Sequence, residues 1–212
     1  MGLMSPDEVQ PWFLIEDPHD CVDSALDDNA CAPADGFSFK ADGPLDLRLD
    51  PSRGQSASEL LQTVTRQGLR HLLEENSDEP FAIPLAAALQ GQYIETTTQL
   101  AELIRQTMDG ALKRTMPEEE RQAETKKVLQ RSFQALRIAV NDEFGVLDRF
   151  LAQLPSCLNP GGRVAILSFH SGEDRRVKKA FQNGERSGVY SSVAPDPIRA
   201  SFEERRANPR SS

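Results

Sequence analysis

Cysteine is scarce in this chain: Cys21, Cys31 and Cys157 are the three in 212 residues, and they are widely spaced. That excludes a disulfide framework and a paired C-x-x-C metal site, and reduced thiols are expected. His19 stands near Cys21, but further ligands at workable spacing are missing for a tetrahedral site, so no metal is expected. No apolar run approaches the roughly 18 residues that span a bilayer, so no membrane role is expected. The opening stretch MGLMSPDEVQPWF has neither the basic and apolar regions of a signal peptide nor the Arg-rich character of a transit peptide. A cytoplasmic location is therefore expected, and an organellar one in a eukaryote would have no recognisable transit peptide behind it. Internal repeats are lacking too.

Lysine and arginine are absent from the first 35 positions, which hold nine acids. The other 177 residues carry 24 acids against 24 bases, so the net charge of -9 resides in the head. From Arg163 to Ser212, ten bases face six acids. An acidic head with a basic tail permits nucleic-acid binding through the tail, despite a pI near 4.9. Hydrophobic residues at 38% with a mean hydropathy of -0.49 describe a folded, polar-surfaced chain with enough length for a sizeable core.

Along the chain, Phe13 to Ile15 read as a short strand stopped by Asp17-Pro18, and residues 20–35 read as loop. In PLDLRLD, Leu45, Leu47 and Leu49 alternate with Asp46, Arg48 and Asp50. A period of two puts the leucines on one face of a strand and the charges on the other. From Ser56 to about Met108 the pattern is helical, with Ser58 and Thr97 or Thr98 as candidate N-caps. A polar connector follows, then helices from about Glu120 onward and from Phe144 to Leu154. Asn159-Pro160-Gly161-Gly162 has the residues of a type II turn. RVAILSF after it reads as a strand buried on both faces of a parallel sheet. His170 ends that strand, and Ser171-Gly172-Glu173-Asp174 reads as a helix N-cap signature. Residues from Gln182 to the end read as loop.

Three segments, GFSFKADGPLDLRLDPSRGQSASELL, SFQALRIAVNDEF and LNPGGRVAILSFHSGEDRRVKKAF, resemble the MraW/RsmH family in order and spacing. These are S-adenosylmethionine-dependent methyltransferases acting on the exocyclic N4 of a cytosine in small-subunit (16S-type) rRNA. The resemblance covers roughly Cys21 to Arg210. It implies an α/β fold: a partial Rossmann-like methyltransferase sheet with a helical insertion subdomain, mostly helical as the chain stands. It divides the chain into an acidic divergent segment (1–35), core remnants (36–55 and 119–212) and a helical substrate-recognition insertion (56–118). Family members carry about a hundred further N-terminal residues with a glycine-rich cofactor loop, so the chain is read as N-terminally truncated. No G-x-G cluster occurs in it, and weak or no binding of S-adenosylmethionine is expected. The family's D-L-G-V-S-S-x-Q is reduced to Asp20-Cys21-Val22-Asp23-Ser24-Ala25, and SFHSLEDR departs to Gly172.

The amine lone pair of cytosine is delocalised into the ring, so a methyltransferase must hold a flipped base and accept a hydrogen bond from the amine. Candidate catalytic residues are Asp46, His170 and Asn141, and Asp20 is the candidate cofactor contact. Asp42 and Asp50 are further candidate acceptors, with Arg48 on the same charged face. Phe37 and Phe39 could stack a base or simply fill a core. Arg137 and Asn141, four apart on a helix, could hold a phosphate or base edge or form an intrahelical pair. Arg175, Arg176, Lys178 and Lys179 are a solvated helix face or, beside an RNA site, phosphate contacts. His170 alone reads as a structural histidine, and only the resemblance makes it functional. Expected partners are small-subunit rRNA or the ribosomal subunit, with a homodimer or a complementing chain admitted. The alternatives to an enzyme are a catalytically inactive RNA- or ribosome-binding module and a fragment from an incomplete gene model.

Overall fold

The computed structural model describes residues 42–113, 115–197 and 199–207. The expected strand at 13–15 and the candidates Asp20, Phe37 and Phe39 lie outside the described residues. Two compact units divide between Asp142 and Glu143.

The first unit is helical: α1 (Ala57–Thr63), α2 (Arg66–Ser77), α3 (Ala82–Leu89), α4 (Thr97–Leu112) and α5 (Glu118–Asn141). The N-caps of α1 and α4 are Ser56 and Thr96, one or two residues earlier than the sequence pattern indicates. Each forms a reciprocal box, Ser56 with Glu59 and Thr96 with Gln99, which satisfies otherwise orphaned backbone donors. The chain between α4 and α5, expected to be a polar connector, is short because α4 runs on to Leu112 and α5 begins at Glu118. Three glutamates in the first turn of α5 face the positive end of its dipole. α2, α4 and α1 all pack on α5, and α3 packs on α2 and α4. Leu69, Leu73, Leu85, Leu100, Ile104, Val128 and Leu136 are buried without residual exposure, so the apolar stripes of the amphipathic helices meet in one core. Glu79 is also buried, and it pairs with Arg131 of α5 at 2.7 Å while accepting from Phe81 N at 2.8 Å.

Residues 45–50 are not a strand. Leu45 and Leu47 are buried, but Leu49 is 49% exposed. The reason is Leu47, whose φ of 63° lies in the left-handed region and breaks the period of two. The only pairing here, among the described residues, is an isolated bridge from Pro44 to Thr96.

The second unit holds α6 (Glu143–Cys157), α7 (Ser171–Arg186) and a short α8 (Phe202–Ala207), with α6 packed against α7. α6 continues past Pro155, where a stop is expected from sequence. The tail expected to be loop contains the last turns of α7 and all of α8. The turn at 159–162 forms as read: Gly161 has φ 80° and Gly162 N donates to Asn159 O at 2.8 Å. RVAILSF, expected as a buried strand, has no regular secondary structure and pairs with no strand among the described residues. Leu167 is 78% exposed. A parallel strand needs neighbouring strands to take its backbone bonds and cover both its faces, and among the described residues no strand does so.

Candidate functional site

The loop 42–50 carries four of the sequence candidates, and both ends of it are tied to helices. Asp42 accepts from the Thr98 hydroxyl in the first turn of α4. That bond, with Thr96 contributing, holds the Asp42 carboxyl below the usual aspartate range. The carbonyls of Leu45 and Asp46 accept from Ser58 N and Ala57 N at 3.0 and 2.7 Å, so the loop satisfies the start of α1.

Asp46 and Arg48 meet fork to fork, with Nε to Oδ1 at 2.6 Å and Nη2 to Oδ2 at 2.8 Å. This bidentate pair lowers the Asp46 carboxyl below its ordinary range, chiefly through the Arg48 hydrogen bonds and against partial burial. Arg48 also donates to Gly54 O at 3.2 Å. Asp50 turns back on its own loop, accepting from Ser52 N and Ser52 Oγ. Its carboxyl is used locally rather than aligned with Asp46.

Asn141, at the last position of α5, reaches the same loop. Its Nδ2 donates to Leu47 O at 2.8 Å and to Arg137 O at 2.9 Å, and its Oδ1 accepts from Leu49 N at 2.8 Å. The structure thus brings Asp46, Arg48 and Asn141 together. Arg137 is drawn inside, 2% exposed. That burial corrects the reading of Arg137 and Asn141 as a joint phosphate contact, because their link is the intrahelical bond and the guanidinium is withheld from solvent.

His170 belongs to the second unit and is itself the N-cap of α7, displacing the expected Ser171 signature by one residue. Its Nδ1 accepts from Gly172 N at 3.2 Å and Glu173 N at 3.4 Å. His170 Nε2 lies 3.3 Å from Glu173 Oε1. The other oxygen of Glu173 accepts from Phe169 N at 2.8 Å. Glu173 and Phe144 are the residues that sequence reasoning missed. Glu173 was legible as the third residue of the helix, whereas no spacing rule marks Phe144, whose ring lies 5.6 Å from the His170 ring and 4.2 Å from the Arg176 guanidinium.

On α7, Arg176 pairs with Asp148 and Lys178 with Asp174, each at 2.6 Å. Arg175, Lys178 and Lys179 are exposed. Among the described residues no cluster of His, Cys, Asp or Glu could hold a metal ion, and no helix is long and apolar enough to cross a membrane.

The concavities are modest. An open groove of about 570 Å³ runs along α4, lined by Thr98, Gln99, Glu102, Leu103, Arg105 and Gln106. A hollow of about 290 Å³ lies between α6, α7 and Val189–Tyr190. The described glycines with positive φ, Gly54, Gly91, Gly161 and Gly188, stand singly, and none joins a strand to a helix. A glycine-rich turn joining a strand to a helix, the element that holds a nucleotide cofactor in doubly wound sheets, does not occur among the described residues.

A helical first unit and, in the second, a basic helix capped by a histidine identify no protein by themselves, but the sequence does so at the level of family. The sequence profile of the MraW methylase family matches residues 29–212, and the chain belongs to that family. It is 52% identical over 183 residues to ribosomal RNA small subunit methyltransferase H 1 of Lachnoclostridium phytofermentans, covering 84% of this chain and 49% of that protein. It is 51% identical over 177 residues to the protein of the same name in Agathobacter rectalis, covering 81% and 49%. The methyltransferase H 2 of Alkaliphilus metalliredigens is 51% identical over 183 residues, covering 84% and 51%. The chain spans about half the length of the curated relatives it matches.

Proposed function

We propose that this chain is the substrate-side portion of an rRNA methyltransferase that places a methyl group on N4 of a cytosine in small-subunit rRNA. The observation that carries this reading is the family match over residues 29–212, with relatives near 50% identity named as small-subunit rRNA methyltransferases. S-adenosylmethionine is the methyl donor in this reading, and its site is assigned to none of the described residues. The chain's own contribution is to hold the base. Asp46 accepts a hydrogen bond from the exocyclic amine, which localises the nitrogen lone pair toward the incoming methyl group. Arg48 must then share or release one carboxylate oxygen. In the second unit, His170 contributes an imidazole at a helix N-terminus, where the positive end of the dipole favours nearby phosphate.

Arg175, Lys178 and Lys179 of α7 supply sequence-independent phosphate contacts, and the partner is small-subunit rRNA or the subunit itself. Residues 56–118 serve as the substrate-recognition insertion, and 36–55 with 119–212 belong to an α/β methyltransferase core that operates in the cytoplasm. A second reading, an RNA-binding module without activity, draws on the exposed Arg175, Lys178 and Lys179 of α7 alone.

Photo-crosslinking of the chain to small-subunit rRNA tests the shared claim. Peptides from the 42–50 loop and α7 should carry the crosslinked nucleotides, with binding that weakens steeply as salt rises. Salt-insensitive binding, or crosslinks confined to other segments, would reject the reading.

A further inference from the structure

Asn141 is engaged through both ends of its amide, and two of the three bonds cross to backbone more than ninety residues earlier in the chain. The loop it grips contains Leu47, a β-carbon-bearing residue at φ 63°. An L-residue in the left-handed region holds only when its surroundings over-determine it. Two things do so here: the Leu47 side chain is buried in the core at 1% exposure, and the Leu47 carbonyl and the next amide but one are both taken by Asn141. The residues flanking Leu47 are Asp46 and Arg48, whose fork-to-fork pair requires the turn that Leu47 makes.

We infer that Asn141 is a positioning residue, which fixes the turn at Leu47 so that Asp46 and Arg48 face each other on the outer side of the loop. The assignment explains the residue type. The site needs a planar group that donates twice and accepts once: aspartate lacks the donors, leucine lacks everything, and glutamine is a methylene too long. The value of the turn to catalysis rests on the reading of this loop as the substrate-holding element, but the geometric claim can be tested apart from it.

The test is nuclear magnetic resonance on the full chain, following the Asp46 carboxyl through a pH titration together with amide exchange at Leu47–Leu49. Arg48 is the charge facing Asp46, and Asp50 and Glu59 act in turn on Arg48. In Asn141→Ala the Asp46 midpoint should rise toward that of an unpaired aspartate, and the Leu49 amide should exchange at least ~10-fold faster. Asn76→Ala is the control, because Asn76 Nδ2 donates to Ala135 O of the same helix at 3.0 Å and so costs a comparable bond; it should leave Asp46 unmoved. Should Asn141→Ala not fold, Asn141→Gln keeps the amide chemistry and should give the same shifts in smaller measure. An Asp46 midpoint and Leu49 exchange unchanged in the folded Asn141 variant, or moved equally by Asn76→Ala, would overturn the assignment. Adding a cytosine-containing single-stranded RNA separates the two claims. Perturbed Asp46 and Arg48 signals support the substrate reading. Unperturbed ones, with the Asn141 effect intact, sink that reading and uphold the positioning role.

Discussion

The ring of Phe144 occupies the space that any side chain at position 172 would need: a β-carbon on Gly172 would stand 2.6 Å from Phe144 Cζ. The absence of a side chain lets the ring approach the first turn of α7, where it lies between His170 and the Arg176 guanidinium. Gly172 is also the position at which the sequence departs from the SFHSLEDR pattern. Gly172→Leu should therefore destabilise the second unit by about 1–3 kcal/mol through overpacking. Pairing it with Phe144→Leu should recover part of that loss, as judged by amide exchange in α7. A neutral single substitution would show that the ring swings aside without cost.

In the first unit the buried carboxylate of Glu79 holds both Arg131 and the backbone at Phe81. Glu79→Ala removes both links and leaves Arg131 facing the core edge without this partner. Because Arg131 keeps 24% exposure and a second bond to Glu124, the cost should fall near the lower end for a broken buried pair, about 3 kcal/mol. Urea unfolding measures it, and a loss below about 1 kcal/mol would mean the pair is spectator to the fold.

Acid should weaken the chain, and two partly buried carboxylates paired with arginine contribute to that loss. Asp46 is held low by Arg48, and Glu124 is held low chiefly by Arg131 and then Lys127. A carboxyl whose folded value is depressed contributes stability above its unfolded value of about 4 and loses it as pH falls through the folded one, because the unfolded chain binds protons first. The urea midpoint should accordingly fall as pH drops from about 5 toward 3. Asp46→Asn and Glu124→Gln should each flatten that slope, and slopes identical to the parent chain would contradict the assignment.

Helices were legible because their signals are local. Amphipathic spacing, Ser/Thr caps with Glu or Gln three residues on, and the Asn-Pro-Gly-Gly turn depend on neighbours within a few residues. Cap positions slipped by a residue or two, since several hydroxyls in a row, such as Thr96, Thr97 and Thr98, compete for one role. Leu47 and RVAILSF were misread for a different reason. Alternation and apolarity state what a segment can pair with, but pairing is decided by distant chain, and a single left-handed residue clamped from position 141 reverses the pattern. The candidate site divides likewise. Asp46, Arg48 and Asn141 were each identifiable, whereas their mutual geometry, the burial of Arg137 and the part played by Phe144 come only from packing.

The central claim is that this chain supplies the base-holding half of a small-subunit rRNA cytosine-N4 methyltransferase. The most direct measurement fuses it to the part of the Lachnoclostridium phytofermentans relative that it does not span. The fusion is incubated with small ribosomal subunits and methyl-labelled S-adenosylmethionine, and the digested rRNA is read by mass spectrometry. Labelled N4-methylcytidine at a single position is predicted, with turnover of the folded fusion reduced by about 10²–10³ in Asp46→Ala, beyond what the lost Arg48 pair costs in thermal stability. A fusion that folds and binds the donor yet leaves every cytidine unmethylated would contradict the account.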